Sequence, residues 1–187
     1  MDVIQEYEIN VETMALLPHF DDYANLNTIV LEERDLFIVP CSPLELIDES
    51  CRYYGSSYEG RLEGIKRVMG IAKKAPIAVS VELEIFFFPH ESPGNHSCVW
   101  LSHTHIESLE KVDKRNTIVQ FTNGESLLVP ASKNQLETKV LRTAQYRHLL
   151  QNRTDMKRRI AVYHMKKAPI ELVRDEQKQS YVVRKND

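Results

Sequence analysis

The sequence predicts an α+β protein: mostly antiparallel β-sheet, with a short central helix and a basic C-terminal helix. Three observations lead there. Short β-branched and apolar runs, punctuated by Pro and Asp, fill the first third of the chain. An Asn123-Gly124 hairpin signal sits between two such runs. Helical periodicity is sustained in only two stretches, after Tyr58 and after Ser132.

Tyr7–Asn10, Thr13–Leu17, Asn27–Leu31 and Leu36–Val39 read as strands, separated by Pro18, Asp21-Asp22 and Pro40. Ser42 can cap a short helix through Leu44–Asp48, with Pro43 in its first turn. Cys51–Gly60 reads as a structured loop. Tyr58, Leu62, Ile65 and Met69 then recur on one helical face, bounded by Gly70 and Pro76. Gly60 and Gly64 each cost such a helix about 1 kcal/mol relative to Ala unless another backbone packs closely there. Ile77–Val81 and Leu83–Phe88 read as strands, Pro89–His96 as a loop, and Cys98–His103 and Thr104–Leu109 as extended. Thr117–Thr122 and Glu125–Val129 flank the Asn-Gly pair, whose two positions both suit φ > 0. Ser132 and Gln135 form a capping-box pattern for a helix reaching about Arg153. This gives one domain over 1–153 and a basic, weakly patterned tail over 154–187.

The 187 residues suffice for one domain, and 42% hydrophobic residues suffice for a core. No apolar run reaches the roughly 18 residues of a membrane helix, and the acidic start lacks the pattern of a signal peptide. Three cysteines, Cys41, Cys51 and Cys98, fit reduced cytoplasmic thiols better than a disulfide framework. The net charge of −3 conceals a strong asymmetry. Residues 1–60 carry 13 acidic side chains against Arg34 and Arg52, a formal −11, and the remainder carries +8. Such separation suits a protein that offers one face to a polyanion, although a solvated basic helix and tail would show it too.

The last helix has the most informative geometry. At 100° per residue, Leu136, Val140, Ala144 and Leu141 spread over about 140° and are its expected buried arc. Lys139, Arg142, Tyr146 and Arg153 fall within about 60° of one another on another face, a stripe suited to phosphates or a groove. Arg147 points into the apolar arc, which suggests a buried carboxylate partner or a subunit contact. Arg52 and Arg61 flank Gly55-Ser56-Ser57, whose backbone N–H groups can bind phosphate; the same arginines can instead pair with Asp48 or Glu49. Cys51, Cys98, His103 and His105 have the side-chain types of a zinc set, but no Cys-x-x-Cys spacing. Cys98 would also face away from His103 on a continuous strand. Buried thiols and hydrogen-bonded histidines explain these residues more simply, and neither a cofactor nor an enzyme is implied.

The residues also match a family. Asp48-Glu-Ser-Cys51-Arg52-Tyr-Tyr-Gly55-Ser56-Ser57-Tyr58-Glu-Gly60-Arg61 resembles the most recognisable stretch of the ComK competence transcription factors. In order along the chain, so do Tyr7-Glu-Ile-Asn10, Leu17-Pro18, Pro76-Ile77, Ile85–Pro89, Cys98–His105, Phe121–Gly124 and Arg142-Thr143-Ala144. The resemblance covers about residues 7–153. It implies a cytoplasmic activator of DNA-uptake genes that binds double-stranded DNA at A-runs and T-runs through the minor groove, as a dimer or dimer of dimers. The residues expected to bind DNA are Arg52, Arg61, Lys139, Arg142, Arg147 and Arg153. The family tail carries an aromatic–proline–lysine element read by an adaptor of the Clp protease. Its nearest counterpart here, Tyr163-His164-Met165-Lys166, lacks the proline. A family member that has lost promoter binding and docks a protein partner is the alternative.

Overall fold

The computed structural model describes residues 1–164, 170–175 and 180–185, with side chains over 1–153 and at Arg174. It divides into two compact units, 1–150 and 151–187.

The first unit is α+β, with every strand pairing antiparallel except the first. A seven-stranded sheet has the order β1-β4-β3-β2-β7-β6-β5. Its strands are β1 (Asp2–Val3), β2 (Thr13–Phe20), β3 (Leu26–Glu32), β4 (Leu36–Val39), β5 (Ile77–Ser80), β6 (Ile85–Pro89) and β7 (Trp100–Ser102). A second sheet has the order β10-β9-β8, built from β8 (Ile106–Lys111), β9 (Thr117–Phe121) and β10 (Ser126–Val129). The helices are α1 (Pro43–Tyr53), α2 (Tyr58–Met69) and α3 (Lys133–His164).

Both faces of the large sheet are covered, which explains the unbroken apolar run of β6. Ile85 and Phe87 pack with Leu16, Trp100, Leu46 and Ile47 under α1, whereas Phe88 packs on the opposite side with Met14, Leu101, Val119, Phe121 and Leu136. Phe86 joins a third cluster with Ile65 of α2 and Tyr146 of α3. A strand buried on both faces has no polar side to alternate with.

Local chemistry sets the boundaries. Ser42 and Glu45 complete a reciprocal capping box, and α1 runs on to Tyr53, five residues past the expected end. The expected Cys51–Gly60 loop therefore shrinks to a short turn that ends where Ser57 caps α2. Gly55 adopts φ +76 in that turn. Pro18 lies within β2 instead of ending it. Only Ala15 and Leu16 pair with β7, so the strand edge is open at Pro18, where its missing N–H is tolerated.

Tyr7–Asn10 is not a strand. The Tyr7 hydroxyl donates to Glu32 at 2.6 Å, and the Ile9 N–H donates to the Ser50 hydroxyl at 3.0 Å, so side chains satisfy this segment in place of a ladder. At the Asn123-Gly124 hairpin only Gly124 has positive φ, at +90. Gly124 N–H donates to Phe121 and Phe121 N–H to Glu125 O, a longer loop than the two-residue turn expected. His103–His105 forms one 3₁₀ turn and not a strand. The last helix does not stop near Arg153 but continues to His164, since no Gly or Pro interrupts it before Pro169. In the second unit, β11 (Ile170–Asp175) and β12 (Ser180–Lys185) pair antiparallel, where the sequence suggested no regular element. Among the described residues, no helix is long and apolar enough to cross a membrane.

Neither helical glycine is held by a neighbouring backbone. A methyl group built at Gly64 meets only the Tyr146 hydroxyl, at 3.9 Å, an ordinary contact. Gly64→Ala should therefore raise stability by up to about 1 kcal/mol, read as a melting temperature higher by roughly 2–4 °C.

Candidate nucleic-acid interface

Arg52 and Arg61 sit on different helices and are engaged within the chain. Arg52 is exposed on the last turn of α1, where it binds Asp48 at 2.9 Å and approaches Glu49 at 3.8 Å. Asp48 also accepts the Tyr58 N–H at 2.7 Å, which with Arg52 holds its carboxyl below the usual carboxylate range. Asp48 thus ties α1 to the start of α2, and Arg52 is engaged on its own helix. Arg61 is half-buried and donates to the carbonyl of Val79 at 3.2 Å, tying α2 to β5. Its guanidinium also faces the buried Cys51 thiol.

Helix α3 presents a different face from the one expected. Leu136 and Val140 are turned inward as predicted, but Leu141 is 70% exposed and Tyr146 only 3%. The buried arc runs through Leu136, Val140, Thr143, Tyr146 and Leu150, rotated towards the supposed cationic stripe. Thr143 enters it because its hydroxyl donates to the Lys139 carbonyl one turn back, at 2.7 Å. The Tyr146 ring stands edge-on to Phe86, with centroids 6.0 Å apart, so the phenol is core. Arg147 does point inward and pairs with Glu84, a residue at φ +58 in the β5–β6 turn; this carboxylate is 45% exposed and not the buried partner that the position suggested. Arg153 is exposed and belongs to the second unit.

Lys139 and Arg142 remain as the cationic face of α3 in the first unit. Arg142 is exposed, Lys139 is half-buried, and neither has a carboxylate partner among the described residues. Burial, with the charges of Lys74 and Arg142 added, pulls the Lys139 ammonium down to about 8. Lys74 was not singled out from the sequence. It lies in the α2–β5 connection at φ +51, and its charge acts on Lys139 only in the folded chain. The Lys73-Lys74 pair before Pro76 was its one visible sign.

The thiols and histidines form separate environments. Burial pushes each of Cys41, Cys51 and Cys98 up to about 11, the wrong direction for a nucleophile. His105 Nδ1 lies 2.9 Å from the Ser102 hydroxyl, and its Nε2 lies 3.3 Å from Glu33. Burial and Arg147 hold His103 below the ordinary histidine value. Among the described residues, no three His, Cys, Asp or Glu side chains gather as metal ligands do. The tail element Tyr163–Lys166 lies outside the residues whose side chains are described.

The family model described as "ComK protein" matches residues 4–155. A protein of Bacillus subtilis (strain 168) named "Competence transcription factor" is 38% identical over 152 residues, covering 81% of this chain and 79% of that protein. No solved structure matches the chain. The matched span runs from the segment before β2 through the cationic turns of α3, and the chain belongs to the ComK family.

Proposed function

We propose that this chain is a sequence-specific double-stranded DNA-binding activator of competence (DNA-uptake) genes, acting in the cytoplasm. It recognises spaced A/T tracts through the minor groove, as a dimer or dimer of dimers, without a cofactor. The supporting observation is the cationic face of α3, where Lys139 and Arg142 have no carboxylate partner among the described residues, in a chain belonging to this family. A narrow A-tract groove has an enhanced negative potential that attracts arginine. Arg142 is the proposed groove residue, because it is exposed and has no ion-pair partner among the described residues. Arg52, Arg61 and Arg147 serve the fold first through their internal partners, and Arg153 adds charge.

The test compares a duplex carrying spaced A/T tracts with a scrambled duplex of equal length and composition. Wild type should prefer the first by at least about tenfold, and Arg142→Ala should lose most of that preference, worth about 1–3 kcal/mol. Equal affinity of wild type for both duplexes would leave a family member that docks another partner.

A further inference from the structure

Helix α1 and the start of α3 pack on opposite faces of the large sheet. Leu46 and Ile47 join the cluster of Phe87, and Leu136 joins that of Phe88. Three cavities adjoin along α1. The first, of about 360 Å³, lies between α1 and the start of α2, bounded by Leu44, Glu45, Asp48, Glu49, Arg52 and Glu59. The second, of about 410 Å³, shares Leu44 and Glu45 with it and continues past Leu26, Pro43 and Pro93. The third, of about 670 Å³, shares Gly94, Asn95 and His96 with the second and ends at Pro18 and Phe20. Together they form one groove from the α1–α2 corner to the last residues of β2.

The two ends of the groove differ in chemistry. At the α1–α2 end, four carboxylates stand against one guanidinium. Hydrogen bonds from Ser42 hold Glu45, and the Tyr58 N–H holds Asp48, below the usual carboxylate range, so both charges are fixed in place at neutral pH. Glu49 and Glu59 are exposed. At the other end the surface is apolar and offers backbone. Phe20 is 51% exposed, its ring 6.3 Å from that of His96. β3 pairs with β2 as far as Phe20, whereas β7 pairs only with Ala15 and Leu16. One edge of β2 therefore runs open beside the groove, from Leu17 onwards. Such an edge is matched by another extended backbone rather than by a compact small molecule.

We propose that this groove docks an extended, basic and apolar segment of a partner protein. Its Lys or Arg side chains lie at Glu49 and Glu59, and its apolar residues lie over Leu44, Pro43 and Phe20. The site does not depend on the DNA-binding reading above. At the helical rise, Leu44 to Arg52 spans about 12 Å, which about four extended residues cover, and the rest of the groove takes a longer stretch. Exposed ion pairs contribute little each, so burial at Leu44, Pro43 and Phe20 carries most of the affinity. The carboxylates set the direction of the segment and speed its approach. They also repel a nucleic acid. With α1 and α3 on opposite faces of the sheet, the chain holds the segment and a duplex at the same time.

The experiment selects a displayed library of random linear peptides on the full chain. Enriched sequences are then synthesised and titrated against wild type, the double variant Glu49→Gln/Glu59→Gln, and Phe20→Ser. Enriched peptides should combine Lys or Arg with Pro, Leu or aromatic residues. The double variant should bind them about tenfold more weakly and with less salt dependence. Phe20→Ser should bind about fivefold more weakly. Both variants should keep the wild-type affinity for the A/T-tract duplex, and saturating duplex should leave peptide binding intact. Should Phe20→Ser melt early, the double variant alone decides. Failure to enrich any sequence, an acidic consensus, or equal peptide affinity in wild type and variants would overturn the site. So would displacement of the peptide by duplex. Sedimentation in which Phe20→Ser shifts self-association, with no peptide enriched, would give the groove to a second copy of the chain and overturn the peptide assignment. If wild type binds peptide but no duplex, the functional reading fails and the docking groove stands.

Discussion

Tyr146→Ala should lower the folding stability by about 3–5 kcal/mol, a drop in melting temperature of roughly 10 °C or more. The ring is 3% exposed, meets Phe86 edge-on, and shares a cluster with Ile65 of α2 and with Ala75 and Ala78 at the sheet edge. Three separate parts of the first unit converge on it, so truncation leaves a cavity that none of them can close alone. Arg142→Ala, one turn earlier and exposed, should stay within about 0.5 kcal/mol of wild type. Thermal melts of the two variants side by side test the orientation of α3 directly. Equal melting points would return Tyr146 to the solvent face.

DNA affinity should fall by roughly 150-fold between 50 and 200 mM salt. Among the described residues, Lys139 and Arg142 give two cations per copy without a carboxylate partner, hence four in a dimer. At about 0.9 counterions released per phosphate neutralised, four contacts give a log–log slope near −3.6. The slope also reports stoichiometry: a lone copy gives about −1.8 and loses only about twelvefold over the same range. Binding isotherms at four or five salt concentrations decide between them, and a flat response would remove the cationic face from the interface altogether.

Sequence patterns were most informative where the determining interaction spans a few residues. Ser42 with Pro43, the Tyr58–Met69 periodicity and the Asn123-Gly124 turn all place elements correctly, because each signal is local. The face of α3 was harder to read. Helical pitch gives relative angles only, and the apolar Leu141 drew the expected core to one side of Leu136 while the true core lies on the other. Thr143 and Tyr146 are polar enough to suggest solvent, yet a backbone hydrogen bond hides one and an aromatic contact the other. Lys74 could not be joined to Lys139 from the sequence at all, since one charge acts on the other only in the folded chain. Arg52 and Arg61 show the converse: side chains of the right type for phosphate are already engaged by Asp48 and by the Val79 carbonyl.

The strand order of the large sheet bears on how the chain folds during synthesis. β2 pairs with its neighbour β3 early, but its other edge waits for β7, where Ala15 meets Leu101 across more than eighty intervening residues. Such a closure is entropically late and slow compared with hairpin formation. Until it happens, β2 presents an unpaired edge. Met14 stays uncovered longer still, because its cluster needs Phe121, Val129 and finally Leu136. A nascent chain released before α3 emerges therefore carries an open strand and a bare aromatic face, features that invite self-association. The helix that carries Lys139 and Arg142 also completes the core, so a chain acquires its cationic face only as its aggregation-prone surface is closed.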